Sequence, residues 1–292
     1  MTLKYKVSDY KSHVKPSWCP GCGHYAVLNA MLHSFAELQI PPENLVVVSG
    51  IGCSSRIPYF INSYGFHSVH GRALPMAIGV KASNPKNRVV VAGGDGDGFS
   101  IGGNHILHTA RKNPDMTYIV MDNAIYGLTK GQNSPTSPQE LHTKVNPYES
   151  IDEKLNPVLI ALGNNTSFIA RSFSGDTKNL ENLILQGMEH RGFAFIQVMS
   201  PCIQYNTEIT YEYLKKNLQP LPEDHDVTDR AAAVWLALQK KPMYTGIFYK
   251  VERPTLKDKL NDVRDVAMMK RGSPEVVEKE KRLLSEMIDQ FK

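Results

Sequence analysis

Arg88-Val89-Val90-Val91-Ala92-Gly93-Gly94-Asp95-Gly96-Asp97-Gly98 is a short β-branched run that breaks into glycine and aspartate. Four consecutive apolar residues of this type read as a buried strand. The glycines let a backbone approach a phosphate closely, and a helix is expected to follow through Arg111. Asp95 is placed to hold a hard cation that neutralises phosphate charge. A calcium loop also uses an Asp-x-Asp-Gly pattern, but the downstream Glu of an EF-hand is missing. Similar runs lie on either side. Leu45-Val46-Val47-Val48 ends at Ser49-Gly50-Ile51-Gly52, and Tyr118-Ile119-Val120-Met121 ends at Asp122-Asn123. Further strands are expected at Ser167–Arg171 and Phe193–Met199, the last ending at Ser200-Pro201-Cys202. Helical spacing marks Tyr25–Leu38, Arg72–Ala82, a short turn near Val158, and Asn179–His190. Near-continuous apolar strands separated by helices predict an α/β fold, a doubly wound parallel sheet with helices on both faces. In such sheets ligands bind at the carboxyl ends of the strands, where the unusual residues here are concentrated.

The chain has 292 residues, 41% of them apolar and 21% charged, with a formal net charge of +4. That composition supports a real core and excludes a disordered or fibrous chain. At roughly 100–200 residues per domain, the expected organisation is one α/β domain over 1–206 and a C-terminal helical or extended tail over 207–292. The tail is expected to pack on the core and on a partner subunit. Its helices are expected at Asp229–Leu238 and at Pro274–Phe291, the latter with Val277, Leu284, Ile288 and Phe291 on one face. No block of five like charges occurs, so nucleic acid is not an expected partner. No apolar run reaches the ~18 residues of a membrane span. The first residues lack a signal-peptide core, and a cytoplasmic setting is expected. Residues 129–150 are polar and rich in Pro, Ser and Thr, which predicts a long functional loop.

Asn123 follows Asp95 by 28 residues, at the end of the next strand. Two oxygen donors capping neighbouring parallel strands can reach one Mg²⁺ ion, which prefers oxygen ligands and substrate phosphates. The Gly-Asp-Gly…Asn pair resembles the diphosphate motif of thiamine-diphosphate enzymes. In that motif the Asp, the Asn and a carbonyl two residues on hold Mg²⁺; here these are Asp95, Asn123 and Ile125. The chain has four cysteines, at 19, 22, 53 and 202. A C-x-x-C in a reducing compartment suggests a bound metal or cluster; by residue type alone zinc fits as well, and Cys53 and Cys202 could be ordinary core residues.

Further motifs narrow the resemblance: Trp18-Cys19-Pro20-Gly21-Cys22-Gly23-His24, Gly50-Ile51-Gly52-Cys53-Ser54-Ser55-Arg56, His70-Gly71-Arg72-Ala73, and Tyr126-Gly127-Leu128-Thr129-Lys130-Gly131-Gln132. With the Gly-Asp-Gly-Asp loop, and in this order over about residues 17–205, they resemble the β subunit of 2-oxoacid:ferredoxin oxidoreductases. The run Gly65-Phe66-His67-x-x-His70-Gly71-Arg72-Ala73 is most similar to the 2-oxoglutarate branch. The resemblance implies a [4Fe–4S] cluster on Cys19, Cys22, Cys53 and Cys202. It implies thiamine-diphosphate contacts at Ile51, Gly52, Cys53, Ser54, His70, Gly71, Arg72, Ala73, Gly96, Asp97, Gly127 and Leu128. Arg56 and Lys130 are candidates for holding substrate carboxylates, since buried carboxylates need compensating cations. His24 and His67 are expected to satisfy hydrogen bonds in the core rather than to act on substrate.

The implied reaction is oxidative decarboxylation of 2-oxoglutarate to succinyl-CoA and carbon dioxide. Electrons would pass through the cluster to ferredoxin, and the reaction could run in reverse. Pyruvate or a branched-chain 2-oxoacid is the alternative substrate. A non-redox thiamine enzyme with structural zinc, or a scaffold with a degenerate site, is the rival class. In the family the Glu that activates the cofactor comes from an α subunit. No second cofactor-type domain is read here, so an αβ partner, in an (αβ)₂ assembly, is expected. No ferredoxin-type cysteine run is read either, so electrons would leave through the single cluster.

Overall fold

The computed structural model describes residues 4–148, 150–261 and 274–289. The strands are β1 (Leu45–Ser49), β2 (Tyr64–His67), β3 (Arg88–Gly94), β4 (Met116–Asp122), β5 (Phe168–Phe173), β6 (Phe193–Met199), β7 (Leu218–Pro220) and β8 (Met243–Lys250). They form one sheet in the order β2-β1-β3-β4-β6-β5-β8-β7. The first six are mutually parallel, as expected from their apolar runs, and β8 runs antiparallel to β5. The helices are α1 (His24–Glu37), α2 (Ala73–Ser83), α3 (Asp95–Phe99), α4 (Gly103–Lys112), α5 (Pro157–Gly163), α6 (Thr177–Glu189), α7 (Tyr211–Asn217) and α8 (Arg230–Leu238). A final helix spans Pro274–Asp289.

Side-chain alternation along the strands builds two cores. Leu45, Val47, Val90, Ala92, Ile119, Met121, Ala194 and Ile196 face α1 and α6. Val46, Val48, Val89, Val91, Tyr118, Val120, Phe193 and Phe195 face α2, α4, α5 and α8. Strands β1, β3, β4 and β6 are thus buried on both sides, which is why their sequences read as unbroken apolar runs. Local signals set the helix ends. The Asn156 side chain accepts from the Val158 and Leu159 N–H groups with Pro157 following it, and Asp176 and Asp229 cap α6 and α8 in the same way. Asn113 ends α4 in the left-handed region, at φ 52°.

The structure departs from the sequence reading in three places. The expected single helix after the glycine loop is two, α3 and α4, because the chain turns at Ser100–Gly102. There Gly102 packs on Gly71, and a Cβ at either glycine would fall within 3.1 Å of the other's backbone. Strand β2 went unread because all four of its residues are exposed on the sheet edge, so it lacks the apolar run of a buried strand. The segment after residue 206 contributes α7, β7, α8 and β8 to the same sheet rather than a helix and tail alone. Strand β8 is half-buried, interrupted by Gly246, and kinked by a bulge opposite Ile169/Ala170, which disguised its periodicity. In the final helix Val277 is exposed; the side chains of Leu284 and Ile288, and Phe291 as a whole, lie outside what the structure describes. Among the described residues no helix is long and apolar enough to cross a membrane.

The connections reverse direction between β1, whose successor β2 lies to one side, and β3, which lies to the other. A parallel sheet opens a crevice at such a reversal, at the carboxyl ends of the two strands.

Candidate cofactor and metal site

A cavity of about 470 Å³ occupies that crevice. Its walls come from the three strand ends: Ile51–Ser54 after β1, Gly94–Asp97 after β3, and Asn123–Thr129 after β4, with His70 and Gln132 closing it. Of the expected cofactor residues, Ile51, Gly52, Cys53, Ser54, His70, Gly96, Asp97, Gly127 and Leu128 line it, as do the expected Mg²⁺ ligands Asp95, Asn123 and Ile125. Gly71, Arg72 and Ala73 stand just behind it. Arg72 is exposed and contacts His105 on α4, while Ala73 is buried at the start of α2.

Asp97 knits the cavity together. Its Oδ1 accepts from the N–H groups of Ile51 and Gly71, both at 2.8 Å, and lies 2.9 Å from His70 Nδ1. The carboxylate fills the space above Gly50, where a Cβ would sit 1.9 Å from Oδ2. One carboxylate thereby fixes the β1 loop, the 70–71 segment and the first turn of α3. Gly96 is needed for a similar reason: the Tyr126 ring lies where its Cβ would be, at 2.3 Å, and the Tyr126 hydroxyl donates to the Gly96 carbonyl.

Asp95, Asn123 and Ile125 are brought together by backbone. The Asn123 N–H approaches Asp95 Oδ1 at 3.4 Å, and Asn123 Oδ1 accepts from the Ile125 N–H at 3.1 Å. Asp95 is buried, and beside it is a second buried carboxylate, Asp122. Burial first, and then the Asp122 charge, push the Asp95 carboxyl up to about 7. The Thr136 hydroxyl sits 2.8 Å from Asp95 Oδ2 and 2.9 Å from Asp122 Oδ1. A hydroxyl carries one proton, so two such short contacts require a second proton on a carboxyl. A bound cation would supply the missing positive charge, and the donor set is all oxygen, as Mg²⁺ prefers.

Asp122 is joined to a chain that the sequence reading missed. Gln197 Nε2 donates to Asp122 Oδ2 at 2.6 Å, and Arg171 Nε donates to Gln197 Oε1 at 2.8 Å. Arg171 is 4% exposed, lies over the Phe248 ring, and donates to the Tyr244 carbonyl of β8. Its only sequence signal was a charged residue in a run predicted to be a buried strand.

The four cysteines, all unpaired, gather beside the cavity. A Cβ on Gly127 would lie 3.6 Å from both Cys53 Sγ and Cys202 Sγ, and 3.9 Å from Asn123 Nδ2. Trp18 Nε1 donates to the Cys53 carbonyl at 2.6 Å, which ties the C-x-x-C turn to the β1 loop. Asn206 closes the other side: its N–H bonds the Cys202 carbonyl, and its Nδ2 donates to the Asn123 carbonyl at 3.0 Å. Burial, with the neighbouring sulfurs, pushes the Cys22 thiol up to about 12, and burial also raises Cys53. Bare, the Cys22 and Cys53 thiols stay protonated, and a strongly bound cation would turn them into thiolates. Among the described residues no three His, Cys, Asp or Glu side chains close to the spacing of one metal ion.

Arg56 donates to Ser17 Oγ at 3.0 Å and acts electrostatically on Cys53, so it stands on the cysteine side of the site. Lys130 is exposed beside the cavity-lining Thr129, held at φ 77°. His24 is buried, its Nδ1 3.0 Å from Ser200 Oγ, and His67 Nδ1 lies 2.9 Å from Ser49 Oγ and from the Ser55 carbonyl. Both histidines serve hydrogen bonds of the scaffold.

Comparison with known proteins agrees with this geometry. Residues 50–198 match the thiamine pyrophosphate enzyme family, in its C-terminal TPP binding domain. Residues 202–265 match the C-terminal family of the pyruvate ferredoxin oxidoreductase beta subunit. The chain is 44% identical over 210 residues to subunit beta of 2-oxoacid:ferredoxin oxidoreductase 2 of Aeropyrum pernix, covering 72% of this chain and 68% of that one. It is 36% identical over 267 residues to the 2-oxoglutarate synthase subunit KorB of Methanocaldococcus jannaschii, covering 89% and 95%. Among solved structures it matches a 2-oxoglutarate:ferredoxin oxidoreductase from Magnetococcus marinus with 2-oxoglutarate, coenzyme A and succinyl-CoA bound. That match has a TM-score of 0.91 and 44% identity over 96% of both chains. With the strand-end cavity and the cysteine set in place, these likenesses show that the chain belongs to the β-subunit family of the 2-oxoacid:ferredoxin oxidoreductases.

Proposed function

We propose that this chain is the β subunit of a CoA-dependent 2-oxoglutarate:ferredoxin oxidoreductase, cytoplasmic and active only with its α subunit. The observation that carries the reading is the convergence on Gly127 of two cysteine sulfurs and the Asn123 amide. It makes the thiol set and the oxygen-donor set adjacent parts of one site. The identity of the substrate is supported by the relatives that act on 2-oxoglutarate.

In this reading Asp95, Asn123 and the Ile125 carbonyl hold Mg²⁺ on the cofactor diphosphate, and Cys19, Cys22, Cys53 and Cys202 hold a [4Fe–4S] cluster. Thiamine diphosphate supplies, when bound, the electron sink that lets a 2-oxoacid lose carbon dioxide. The chain's own residues position it. Asp97 holds the Ile51 and Gly71 backbones in place, Tyr126 closes over Gly96, and the Ile51–Ser54 loop, which lines the cavity, would touch both groups. Because Cys53 belongs to that loop, donor and acceptor of the electrons lie side by side. Lys130, at the cavity rim, and Arg56 are assigned to the substrate carboxylates. Tyr64, Phe66, Val69 and Ile101 are exposed apolar residues on β2 and on the segments flanking His70 and Gly102. They fit burial under the α subunit, which brings the activating Glu, in an (αβ)₂ enzyme.

The test is anaerobic co-expression with the α subunit, then CoA-dependent viologen reduction across a panel of 2-oxoacids. Strong activity with 2-oxoglutarate and little with pyruvate is expected. Preference for pyruvate would overturn the substrate, and a colourless, zinc-containing, inactive complex would overturn the reaction class.

A further inference from the structure

Residues 4–16 carry lysines at 4, 6, 11 and 15 and a histidine at 13 against one acid, Asp9, in a chain whose whole net charge is +4. These four lysines and His13 are all exposed. Among the described residues no ion pair engages Lys6, Lys11 or Lys15. The Lys4 ammonium lies 4.9 Å from the Tyr5 ring centroid, and the backbone beneath all four lysines is firmly pinned. The Tyr10 hydroxyl donates to the Ile40 carbonyl at 2.7 Å, the Ser12 hydroxyl to the Tyr59 carbonyl at 2.6 Å, and Lys11 bridges to Ile61. A fixed segment presenting free cations is a preformed electrostatic surface.

That segment walls a groove of about 530 Å³ against the first half of α1, with Leu28, Leu32 and Phe60 among the residues beneath. The groove abuts the cysteine turn. Tyr25 lines it, donates through its hydroxyl to the Trp18 carbonyl at 3.0 Å, and donates through its own N–H to the Cys22 carbonyl. Cys19, Pro20 and Gly21 are exposed at its end. From Lys15 to Cys19 the chain can span at most about 14 Å.

We propose that this groove is the landing surface for the electron acceptor, a small acidic iron–sulfur protein of the ferredoxin class. Its negative face would meet Lys11, Lys15 and their neighbours and bring its cluster up to the Cys19 edge. The proposal rests on the oxidoreductase reading above. Electron transfer to such a partner needs brief, oriented encounters, and complementary rim charge speeds encounter more than it tightens the complex. A basic rim beside the exposed Cys19 edge has that design.

The test uses the anaerobic αβ enzyme with Lys11→Glu and Lys15→Glu combined, 2-oxoglutarate and CoA saturating. Methyl viologen, a small cation with no need of a basic docking site, should be reduced at the parental rate. With an acidic ferredoxin, kcat/KM should fall about tenfold at low ionic strength, through KM, and its salt dependence should flatten. Lys11→Arg with Lys15→Arg should behave as the parent. Parental ferredoxin kinetics and salt slope in the Glu variant would overturn the proposal. Loss of the α subunit from that variant would also overturn it, by showing the patch to be a subunit interface. A parent enzyme unable to reduce viologen would refute instead the oxidoreductase reading beneath it.

Discussion

The two ends of the same parallel sheet solve opposite problems. At the amino end the buried amide of Asn113 and the buried ammonium of Lys81 both close on other protein groups. Asn113 Oδ1 accepts from the Phe193 N–H and the Ser167 hydroxyl, both at 2.8 Å, and its Nδ2 reaches the Arg253 and Pro254 carbonyls. The buried Lys81 ammonium is answered by Asp115 at 3.1 Å and the Asn87 carbonyl at 2.8 Å. At the carboxyl end the charges do not balance. Asp95 and Asp122 are buried together, and four thiols are gathered with no disulfide. Of the two ends, the carboxyl end is the one where buried acidic and thiol groups cluster. That imbalance, rather than cavity size, marks the end built for cofactors.

The contrast can be broken most severely at the sulfurs. Cys202→Ser should strip the αβ enzyme of most of its iron and labile sulfide while thiamine diphosphate is retained. Full iron content with an unchanged EPR signal would reduce Cys202 to a packing residue. Next is Asp95→Ala, which should abolish Mg²⁺-dependent retention of thiamine diphosphate and leave the iron in place. Equal cofactor content in variant and parent would remove Asp95 from the metal site.

A third variant tests whether the carboxyl end depends on the chain through Gln197. Arg171→Leu leaves the buried Asp122 without its distant countercharge, and loss of one partner of a buried charge pair costs about 3–5 kcal/mol. Thermal unfolding should show a lowered Tm. A Tm at the parental value would mean that Asp122 is compensated by some other group.

The smallest effect belongs to the amino end. Burial holds the His190 imidazole down to about 4, with its Nε2 2.9 Å from Ser167 Oγ. A histidine kept neutral in the folded state but free to protonate when unfolded, near 6.5, contributes stability that is complete above about pH 6.5. It is lost as pH falls from there toward 4. His190→Asn should therefore be less stable than the parent at pH 7 and show a shallower fall in Tm between pH 6.5 and 5. Parallel pH profiles would show that His190 is not the group responsible.

The sequence disclosed this carboxyl end unevenly. The gathering of Asp95, Asn123, Cys53 and Cys202 was legible because each follows a strand end, and strand ends were marked by β-branched runs. Strand β8 was not legible, because Gly246 and a bulge break its alternation. Arg171, Gln197 and Thr136 were hidden for a different reason. Each is one ordinary polar residue, and its meaning arises only when the sheet sets Arg171 opposite Gln197 and the loop brings Thr136 onto Asp95. Asp97 was read as a neighbour of the diphosphate, yet its Oδ1 is taken up by Ile51, Gly71 and His70. No spacing rule reports which way a carboxylate turns.

In the proposed enzyme the Ile51–Ser54 loop joins a thiamine-diphosphate site to a redox cluster. Freeze-quench EPR of the anaerobic αβ enzyme after mixing with 2-oxoglutarate tests it most directly. A reduced-cluster signal should appear in the parent, require thiamine diphosphate, be absent in Asp95→Ala, and be lost with the cluster in Cys53→Ser. A cluster that stays oxidised in cofactor-loaded parent enzyme mixed with 2-oxoglutarate, or one reduced equally well without thiamine diphosphate, would contradict it.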